Sequence, residues 1–145
     1  MPDIPSFLTA DLQAQLQAAA RDAQARAYAP YSRFQVGAAV LDEQGRIHAG
    51  CNVENAAYPE GTCAEPGAIA AMVLAGGTRV RAVLVLGEGA APVTPCGGCR
   101  QKLREFADGA TPVLVADRQR LRAHFTLSEL LPASFGPDHL ARPDA

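Results

Sequence analysis

Apolar residues recur along the chain at two spacings, which predict a series of helices and strands. Residues 9–27 place Leu12 and Leu16 on one helical face, and residues 35–41 and 46–53 show the pattern of the two arms of a β-hairpin. The rest of the chain predicts a helix at 64–75, a strand at 80–86, a helix at 96–107 and a strand at 111–116. The capping-box spacing at 126–129 predicts a short last helix. A hairpin followed by strands that alternate with helices predicts an α/β fold, a three-layer α/β/α sandwich with a mixed sheet.

Length and composition favour one domain over residues 1–145. With 48% hydrophobic and 19% charged residues, the chain has the composition of an ordinary globular protein with one sizeable core. The formal net charge of -2 offers no general attraction to nucleic acid or to an anionic membrane, so we expect neither as a partner. No apolar stretch is long enough to span a bilayer.

The amino terminus and the cysteines together indicate the compartment. Residues 1–5 lack the basic start and the apolar run of a signal peptide, so we expect a cytoplasmic protein whose thiols stay reduced. In a reducing compartment, a Cys-x-x-Cys pair with a distant third cysteine favours metal binding or redox chemistry over disulfide bonds.

Three of the four cysteines lie at the predicted starts of two helices. Cys96 and Cys99 are one turn apart on the same helical face, and Cys63 opens the preceding helix. Because helix N-termini favour thiolates, these sulfurs predict a zinc site whose fourth position is open, as in catalytic zinc sites. A closed structural site with Cys51 as the fourth ligand and a redox pair are the alternatives.

Glu65 follows Cys63 by two residues, so its side chain can point at the open side of the metal without binding it. A zinc ion lowers the pKa of a bound water toward about 7, and a nearby carboxylate can take the proton of that water and return it to a substrate. The alternative is an ordinary first-turn glutamate that interacts with the helix dipole. The three histidines have no ligand-like spacing.

Several motifs resemble those of the small homotetrameric zinc-dependent cytidine deaminases. The resemblance starts from Cys63-Ala64-Glu65 and extends over nearly the whole chain, with further matching segments at 30–39, 50–59, 95–101, 103–106 and 130–135. It implies a cytidine deaminase-like fold and the hydrolytic deamination of cytidine and deoxycytidine to uridine and deoxyuridine plus ammonia, as part of pyrimidine salvage.

The resemblance also implies a role for each residue of the zinc centre. Cys63, Cys96 and Cys99 would hold one Zn²⁺ per chain. Glu65 would move protons between the water, N3 of the pyrimidine and the leaving ammonia. Cys51 would lie beside the site without binding the metal.

Seven further residues would bind the nucleoside in a protein of this family. The Ala64 N–H would donate to O2 of the base, and the Thr94 carbonyl would accept from its 4-amino group. Asn52 and Glu54 would bind ribose hydroxyls, since alternate positions of one strand share a face. The other contacts would be aromatic, from Phe34 against the base and from Phe135 and Tyr58 in the site of a neighbouring subunit. The resemblance therefore implies a homotetramer with sites at subunit interfaces.

The sequence departs from the family motif directly after Glu65. Pro66-Gly67 replaces the usual Arg-Thr, whose arginine hydrogen-bonds the zinc-ligand thiolates and offsets their charge. Proline in a first helical turn loses no hydrogen bond, so we expect the helix to form, with Gly67 allowing close approach of another backbone or chain. Compensating positive charge would come from helix-terminal N–H groups, from Arg100 or from Arg104.

This departure leaves two alternatives to cytidine deamination. One is a deaminase of another aminopyrimidine nucleoside or analogue, of the blasticidin type, and the other is a catalytically degenerate zinc-binding relative. Retention of Glu65, Asn52 and Glu54 argues against a degenerate relative, because a structural relic needs none of these side chains.

Overall fold

A computed structural model describes residues 2–140 of the chain, which form four helices and five strands. The helices are α1 (Ala10–Gln24), α2 (Ala64–Leu74), α3 (Gly97–Phe106) and α4 (Leu127–Leu130). The strands are β1 (Val36–Asp42), β2 (Ile47–Cys51), β3 (Val80–Gly87), β4 (Pro112–Ala116) and β5 (Leu121–Thr126). None of the helices within this described range is long and apolar enough to cross a membrane.

The five strands form one mixed sheet in the order β2-β1-β3-β4-β5. The hairpin strands β1 and β2 are antiparallel, and β1 also pairs antiparallel with β3. Strands β3 and β4 are parallel, with α3 in the connection between them, and β5 runs antiparallel to β4. The predicted mixed sheet is therefore confirmed, because the hairpin and the β3-α3-β4 crossover share it.

Helices cover both faces of this sheet, which confirms the three-layer arrangement. Alternate residues of β1 point to opposite faces, so Ala39 and Leu41 pack with Leu16 of α1 on one side. Ala38 and Val40 pack on the other side with residues of α2 and α3. The apolar strands β3 and β4 contribute to both cores, as expected for strands buried on both faces.

Strand β5 is an element that the sequence pattern did not predict. All six of its residues are half-buried, and it pairs only with β4 at the edge of the sheet. Arg122 and His124 interrupt the apolar residues of the segment. The segment therefore resembles the polar residues that precede it, and the strand is difficult to recognise. The alternation of Leu121, Ala123 and Phe125 was the available signal for a strand with one covered face.

Two predicted elements end more than one residue earlier than the sequence pattern indicated. Helix α1 ends at Gln24, three residues before its predicted end, because Tyr28 leaves the helix to form a bridge with Val53. Strand β2 ends at Cys51, since Val53 forms only isolated bridges, to Tyr28 and to Thr62. These bridges bring the end of the hairpin alongside the loop that precedes α2.

Helix α2 lies so close to β2 that one position admits only glycine. A Cβ built on Gly50 would come within 2.6 Å of the Gly67 carbonyl carbon and 2.5 Å of the Ala64 oxygen. A Cβ on Gly67 would instead meet the Gly50 Cα at an ordinary 3.4 Å. The predicted close approach at Gly67 is therefore present, but it is Gly50 on the strand that makes it possible.

Candidate active site

The N-termini of α2 and α3 converge and bring three cysteines together. Cys63 is the N-cap residue of α2, Cys96 is the N-cap residue of α3, and Cys99 lies in the first turn of α3. The Sγ atoms of Cys63 and Cys96 are 3.7 Å apart, and those of Cys96 and Cys99 are 3.2 Å apart. The three sulfurs all lie within 4.8 Å of one another.

This spacing fits the sulfur ligands of a tetrahedral zinc ion. Zinc–sulfur bonds of about 2.3 Å place two ligand sulfurs roughly 3.8 Å apart, which matches the 3.7 Å between Cys63 and Cys96 and exceeds the 3.2 Å between Cys96 and Cys99. Among the described residues 2–140, these three cysteines form the one group of metal-binding side chains, and Cys51 is not in it. Three protein ligands leave a fourth position open, which is the arrangement of catalytic rather than structural zinc.

The three thiols influence one another strongly in the absence of a cation. Burial, followed by the negative charge of Glu65, raises the pKa of Cys99, and burial also raises the pKa of Cys63. Burial opposes ionisation of Cys96 as well, but hydrogen bonds from the other two cysteines lower its pKa overall. A cluster of this kind needs a cation to hold all three sulfurs as thiolates, so metal binding must release protons.

Glu65 lies in the first turn of α2 and is almost fully buried, with 3% of its surface exposed. Burial raises the pKa of its carboxyl group, and this effect exceeds the opposing effects of its own backbone N–H, the Cys99 thiol and the charge of Lys102. A raised pKa makes the neutral form of a carboxyl group more accessible, so the group can both take and return a proton. Its place beside the sulfur cluster is therefore suited to proton transfer.

An open cavity of about 340 Å³ lies directly above the cysteines and Glu65. Eight of the sequence-predicted residues line it, namely Phe34, Asn52, Glu54, Cys63, Ala64, Glu65, Thr94 and Cys96. Four lining residues were not predicted, and these are Ser32, Val36, Val85 and Val93. Val85 lies in the apolar run of β3, which predicts only a buried strand. The fold is therefore needed to show that Val85 faces the cavity.

The predicted ribose-binding residues face this cavity from a position just beyond β2. Asn52 accepts a hydrogen bond from the Val36 N–H at 2.9 Å and donates one to the Phe34 carbonyl at 2.7 Å. An amide group has further donor and acceptor capacity after these two bonds, so Asn52 can still bind a ligand. Asn52 and Glu54 both line the cavity, but they do so from beyond the end of β2 rather than from alternate positions of one strand.

Glu54 is held in place by the loop that precedes β1. Its Oε1 accepts hydrogen bonds from the backbone N–H groups of Tyr31 and Ser32, at 2.9 Å and 3.1 Å. The Ser32 hydroxyl is the largest cause of the lowered pKa of this carboxyl group, and the two backbone bonds add to it. Glu54 is therefore a fixed anion at the rim of the cavity.

Tyr58 and Phe135 do not line the cavity of their own chain. Tyr58 packs edge-on against Tyr31, with ring centroids 5.9 Å apart, in a neighbouring hollow that shares Ser32 and Glu54 with the cavity. Phe135 is 56% exposed and stacks on His139 at 4.9 Å. Both rings are thus available at the surface rather than committed to the core.

The two arginines considered as partners of the thiolates donate their hydrogen bonds elsewhere. Arg100 binds the Pro95 and Leu130 carbonyls and the Thr94 hydroxyl. Arg104 binds Ser134 and Asp138. Of the predicted compensations, the helix starts of α2 and α3 are the ones next to the sulfurs in the chain, since Cys63 and Cys96 are their N-cap residues, and, against the effect of burial, the backbone N–H of Cys99 helps to lower the pKa of Cys96.

Comparisons with known proteins agree with this geometry. A family model for the cytidine and deoxycytidylate deaminase zinc-binding region matches residues 11–115. A cytidine deaminase of Sporosarcina psychrophila is 40% identical over 126 residues, covering 87% of this chain and 93% of that protein. One of Mycobacterium tuberculosis is 42% identical over 127 residues, covering 88% and 92%. The crystal structure of cytidine deaminase from Burkholderia pseudomallei matches with a TM-score of 0.78 at 39% identity, covering 84% of this chain and 98% of that chain.

Proposed function

The chain belongs to the cytidine and deoxycytidylate deaminase family and is a zinc-dependent hydrolase, and from this premise we propose that it deaminates cytidine and deoxycytidine to uridine and deoxyuridine. The observation that carries the proposal is the buried Glu65 carboxyl group beside three cysteine sulfurs, at the floor of a cavity of about 340 Å³. In this reaction a water oxygen bonds to C4 of the base, the C4–N bond breaks, and ammonia leaves.

Cys63, Cys96 and Cys99 would hold one zinc ion per chain. The ion supplies Lewis acidity, which lowers the pKa of a water molecule toward about 7. The N–H groups at the starts of α2 and α3 would stabilise the thiolate charge from the protein side, in place of the arginine that Pro66 replaces. Pro66 lies within the first turn of α2, which forms as predicted.

Glu65 would act as the proton carrier of the reaction. Its carboxylate would take one proton from the attacking water and deliver it to N3 of the pyrimidine, then take the second proton of the same water oxygen and pass it to the departing 4-amino group. Burial favours the neutral carboxyl form, so the group can hold a proton between these two transfers.

The base would be oriented by backbone groups from the two helix starts. Ala64 is the first residue of α2, so its N–H has no partner within the helix and can donate to O2 of the base. The Thr94 carbonyl, two residues before Cys96, would accept from the 4-amino group. Phe34 lies at the cavity wall, where its ring would pack against the base.

The sugar would bind between Asn52 and Glu54, which are fixed by the backbone bonds described above. A carboxylate with a lowered pKa stays ionised near neutral pH, so Glu54 would accept hydrogen bonds from sugar hydroxyl groups. Its negative charge also disfavours a phosphorylated sugar nearby, which supports a nucleoside rather than a nucleotide as the substrate.

We further propose a homotetramer with active sites at the subunit interfaces. The outer face of α2 supports this, because the helix carries no charged residue after Glu65 and leaves Val73 and Leu74 50% and 90% exposed. Exposed apolar groups of this kind mark association surfaces. Tyr58 and Phe135 would then reach the site of a neighbouring subunit, since each ring is exposed on its own chain.

A reducing compartment suits this site, and we propose a cytoplasmic enzyme of pyrimidine salvage with a single domain over residues 1–145. All four cysteines are free thiols in the structure. Oxidation of the ligand cysteines would remove the thiolates that the metal needs, so a compartment that keeps thiols reduced preserves the centre.

The proposed function is tested by measuring cytidine loss in the ultraviolet and zinc content on the same samples of wild type, Glu65→Gln and Cys51→Ala. We expect about one zinc per chain in all three proteins, because neither substitution removes a ligand sulfur. We expect Glu65→Gln to lower kcat by at least about 100-fold, since it removes the proton carrier. Cys51→Ala should keep both zinc and activity, as the control for a cysteine outside the centre.

Two outcomes would contradict the proposal. Stoichiometric zinc with no turnover of cytidine or deoxycytidine by the wild type would indicate a different substrate or a degenerate site. Loss of zinc in Cys51→Ala would indicate a closed four-cysteine site, in which no position remains for a water.

A further inference from the structure

The loop between β3 and α3, residues 88–96, carries part of the active site without regular secondary structure. Val93, Thr94 and Cys96 from this loop line the cavity, and Cys96 is one of the three sulfur donors. A loop that must hold a metal ligand precisely needs contacts from outside itself. In the described part of the chain, these contacts come largely from arginine side chains.

Arg100 holds the end of the loop that bears the metal ligand. Its Nε donates to the Pro95 carbonyl at 2.7 Å, and its Nη2 donates to the Thr94 hydroxyl at 3.2 Å. The Pro95 carbonyl belongs to the peptide group that ends at the Cys96 nitrogen, so this bond fixes the plane from which the Cys96 side chain departs. The same guanidinium donates through Nη1 to the Leu130 carbonyl at 2.7 Å, at the end of α4.

A second arginine holds the other end of the same loop. Arg122 of β5 donates to the carbonyls of Gly89 and Ala90, at 3.1 Å and 2.9 Å. Its guanidinium is itself placed by Asp117, at 3.4 Å. The loop is therefore fixed at one end by Arg122 of β5 and at the other by Arg100 of α3, and only the Arg100 end is adjacent to the metal ligand.

The charge of Arg100 is unusual for its position in the helix. It is the fourth residue of α3, near the positive end of the helix dipole, where acidic residues are favoured and cations are not. No acidic residue lies in the first turn of α3. A cation in this place is explained by the three oxygen acceptors that its planar guanidinium reaches at once, which a lysine ammonium could not do.

We propose that Arg100 is a positioning residue of the zinc centre, which sets the backbone of residues 94–96 so that the Cys96 sulfur and the Thr94 carbonyl face the cavity. The inference rests on the proposed function only in taking Cys96 as a zinc ligand. Groups that orient metal ligands typically change metal affinity or activity by about 10–100-fold when they are removed. Arg100 therefore contributes to metal retention although it touches neither the metal nor a sulfur.

The test is a competition for zinc between the full-length, zinc-loaded protein and a chromophoric chelator, with wild type, Arg100→Gln and Arg100→Lys. We expect Arg100→Gln to bind zinc about 10–100-fold more weakly, because the Pro95 and Thr94 bonds are lost. Arg100→Lys should recover only part of this affinity, since one ammonium cannot bind all three oxygens. If Arg100→Gln does not fold, the lysine variant still provides the measurement.

Arg104→Gln is the matched control, because Arg104 lies one turn further along α3 and, within the described residues, donates its side-chain hydrogen bonds to Ser134 and Asp138. Its loss should lower the melting temperature while zinc affinity stays within about twofold of wild type. Equal weakening in both glutamine variants would overturn the proposal in favour of general loosening of α3, as would an Arg100→Gln protein that melts earlier but binds zinc normally. Because this readout needs no turnover, its outcome is separate from that of the cytidine assay.

Discussion

Two buried acidic residues have environments that shift their pKa values in opposite directions. This difference indicates a structural role for one residue and a chemical role for the other. Burial acts against ionisation of Asp42, but hydrogen bonds from His48, from the Arg46 side chain and from two backbone N–H groups lower its pKa overall. Glu65 has few such partners, and burial raises its pKa. Asp42 is thus a permanent anion that organises a turn, whereas Glu65 is a carboxyl group that can exchange a proton.

Asp42→Asn should lower the free energy of unfolding by roughly 2–3 kcal/mol at pH 7, because it leaves buried donors without their anion. A carboxylate whose pKa is lower in the folded state stabilises the protein above its unfolded pKa of about 3.9, and the contribution is lost as the pH falls below that value. The difference between wild type and variant should therefore be constant above about pH 5 and shrink in stronger acid.

Urea unfolding at pH 7 and pH 3 measures this difference. Asp22→Asn is the matched control, because Asp22 is exposed on α1 and its change should stay within about 0.5 kcal/mol. An Asp42→Asn deficit that is as large at pH 3 as at pH 7 would show that packing, rather than charge, causes the loss.

At the scale of elements, the site depends on how closely α2 approaches the hairpin. The helix lies against β2 with Gly50 directly under Gly67, which brings the helix start and its Cys63 and Glu65 over the end of the strand. The same strand end leads into Asn52 and Glu54. One helix–strand contact therefore sets the distance between the proposed zinc centre and the proposed sugar site.

Substitution of the two glycines should have opposite effects on stability. Gly50→Ala should cost about 3 kcal/mol or more, because its Cβ would overlap backbone atoms of α2 that cannot move separately. Gly67→Ala should be neutral or stabilising by up to about 1 kcal/mol, since the new Cβ meets only ordinary contacts and alanine favours a helix. Thermal and chemical unfolding of both variants measures these effects, and a destabilised Gly67→Ala would show that the interface has no room at either position.

At the scale of the whole molecule, the cavity of one chain is open, and two aromatic rings that the family resemblance assigns to the active site are exposed outside it. Tyr58 and Phe135 are 76% and 56% exposed, and neither enters the cavity of its own chain. The side chains that hold the Phe135 segment come from α3, where Gln101 donates to the Phe135 carbonyl at 2.9 Å. The Phe135 segment is therefore held by the same helix that positions two of the candidate zinc-binding cysteines, Cys96 as its N-cap and Cys99 in its first turn.

Shared sites can be tested by mixing two inactive variants. If Phe135 completes a neighbouring site, Phe135→Ala and Glu65→Gln subunits should each have low activity, but mixed oligomers should regain part of it. The reason is that a site with Glu65 from one subunit can receive Phe135 from the other. The measurement is cytidine turnover after subunit exchange, with the unmixed variants at equal total concentration as the control. Activity no higher than the sum of the separate variants would argue that each chain acts alone.

Sequence reasoning succeeded where short-range spacing carries the information. The Cys-x-x-Cys spacing, the helix start at Cys63 and the periodicity of the core strands are local features, and the helices, the mixed sheet and the candidate zinc-binding cysteines follow from them. The edge strand β5 was not predicted, because its polar residues obscure the alternation of apolar residues along it. That alternation identifies a strand only when the pairing with β4 is known.

The sequence by itself determined the order of helices and strands, the Cys-x-x-Cys pair and the placement of Cys63 and Glu65 at a helix start, because each depends on residues a few positions apart. Only the tertiary structure decided what holds these residues in place. Arg100 had been considered as a charge for the thiolates, yet it binds backbone oxygens of the metal loop and of α4, 30 residues further along. Contacts between distant segments depend on how the sheet orders its strands, and local spacing carries no information about that order.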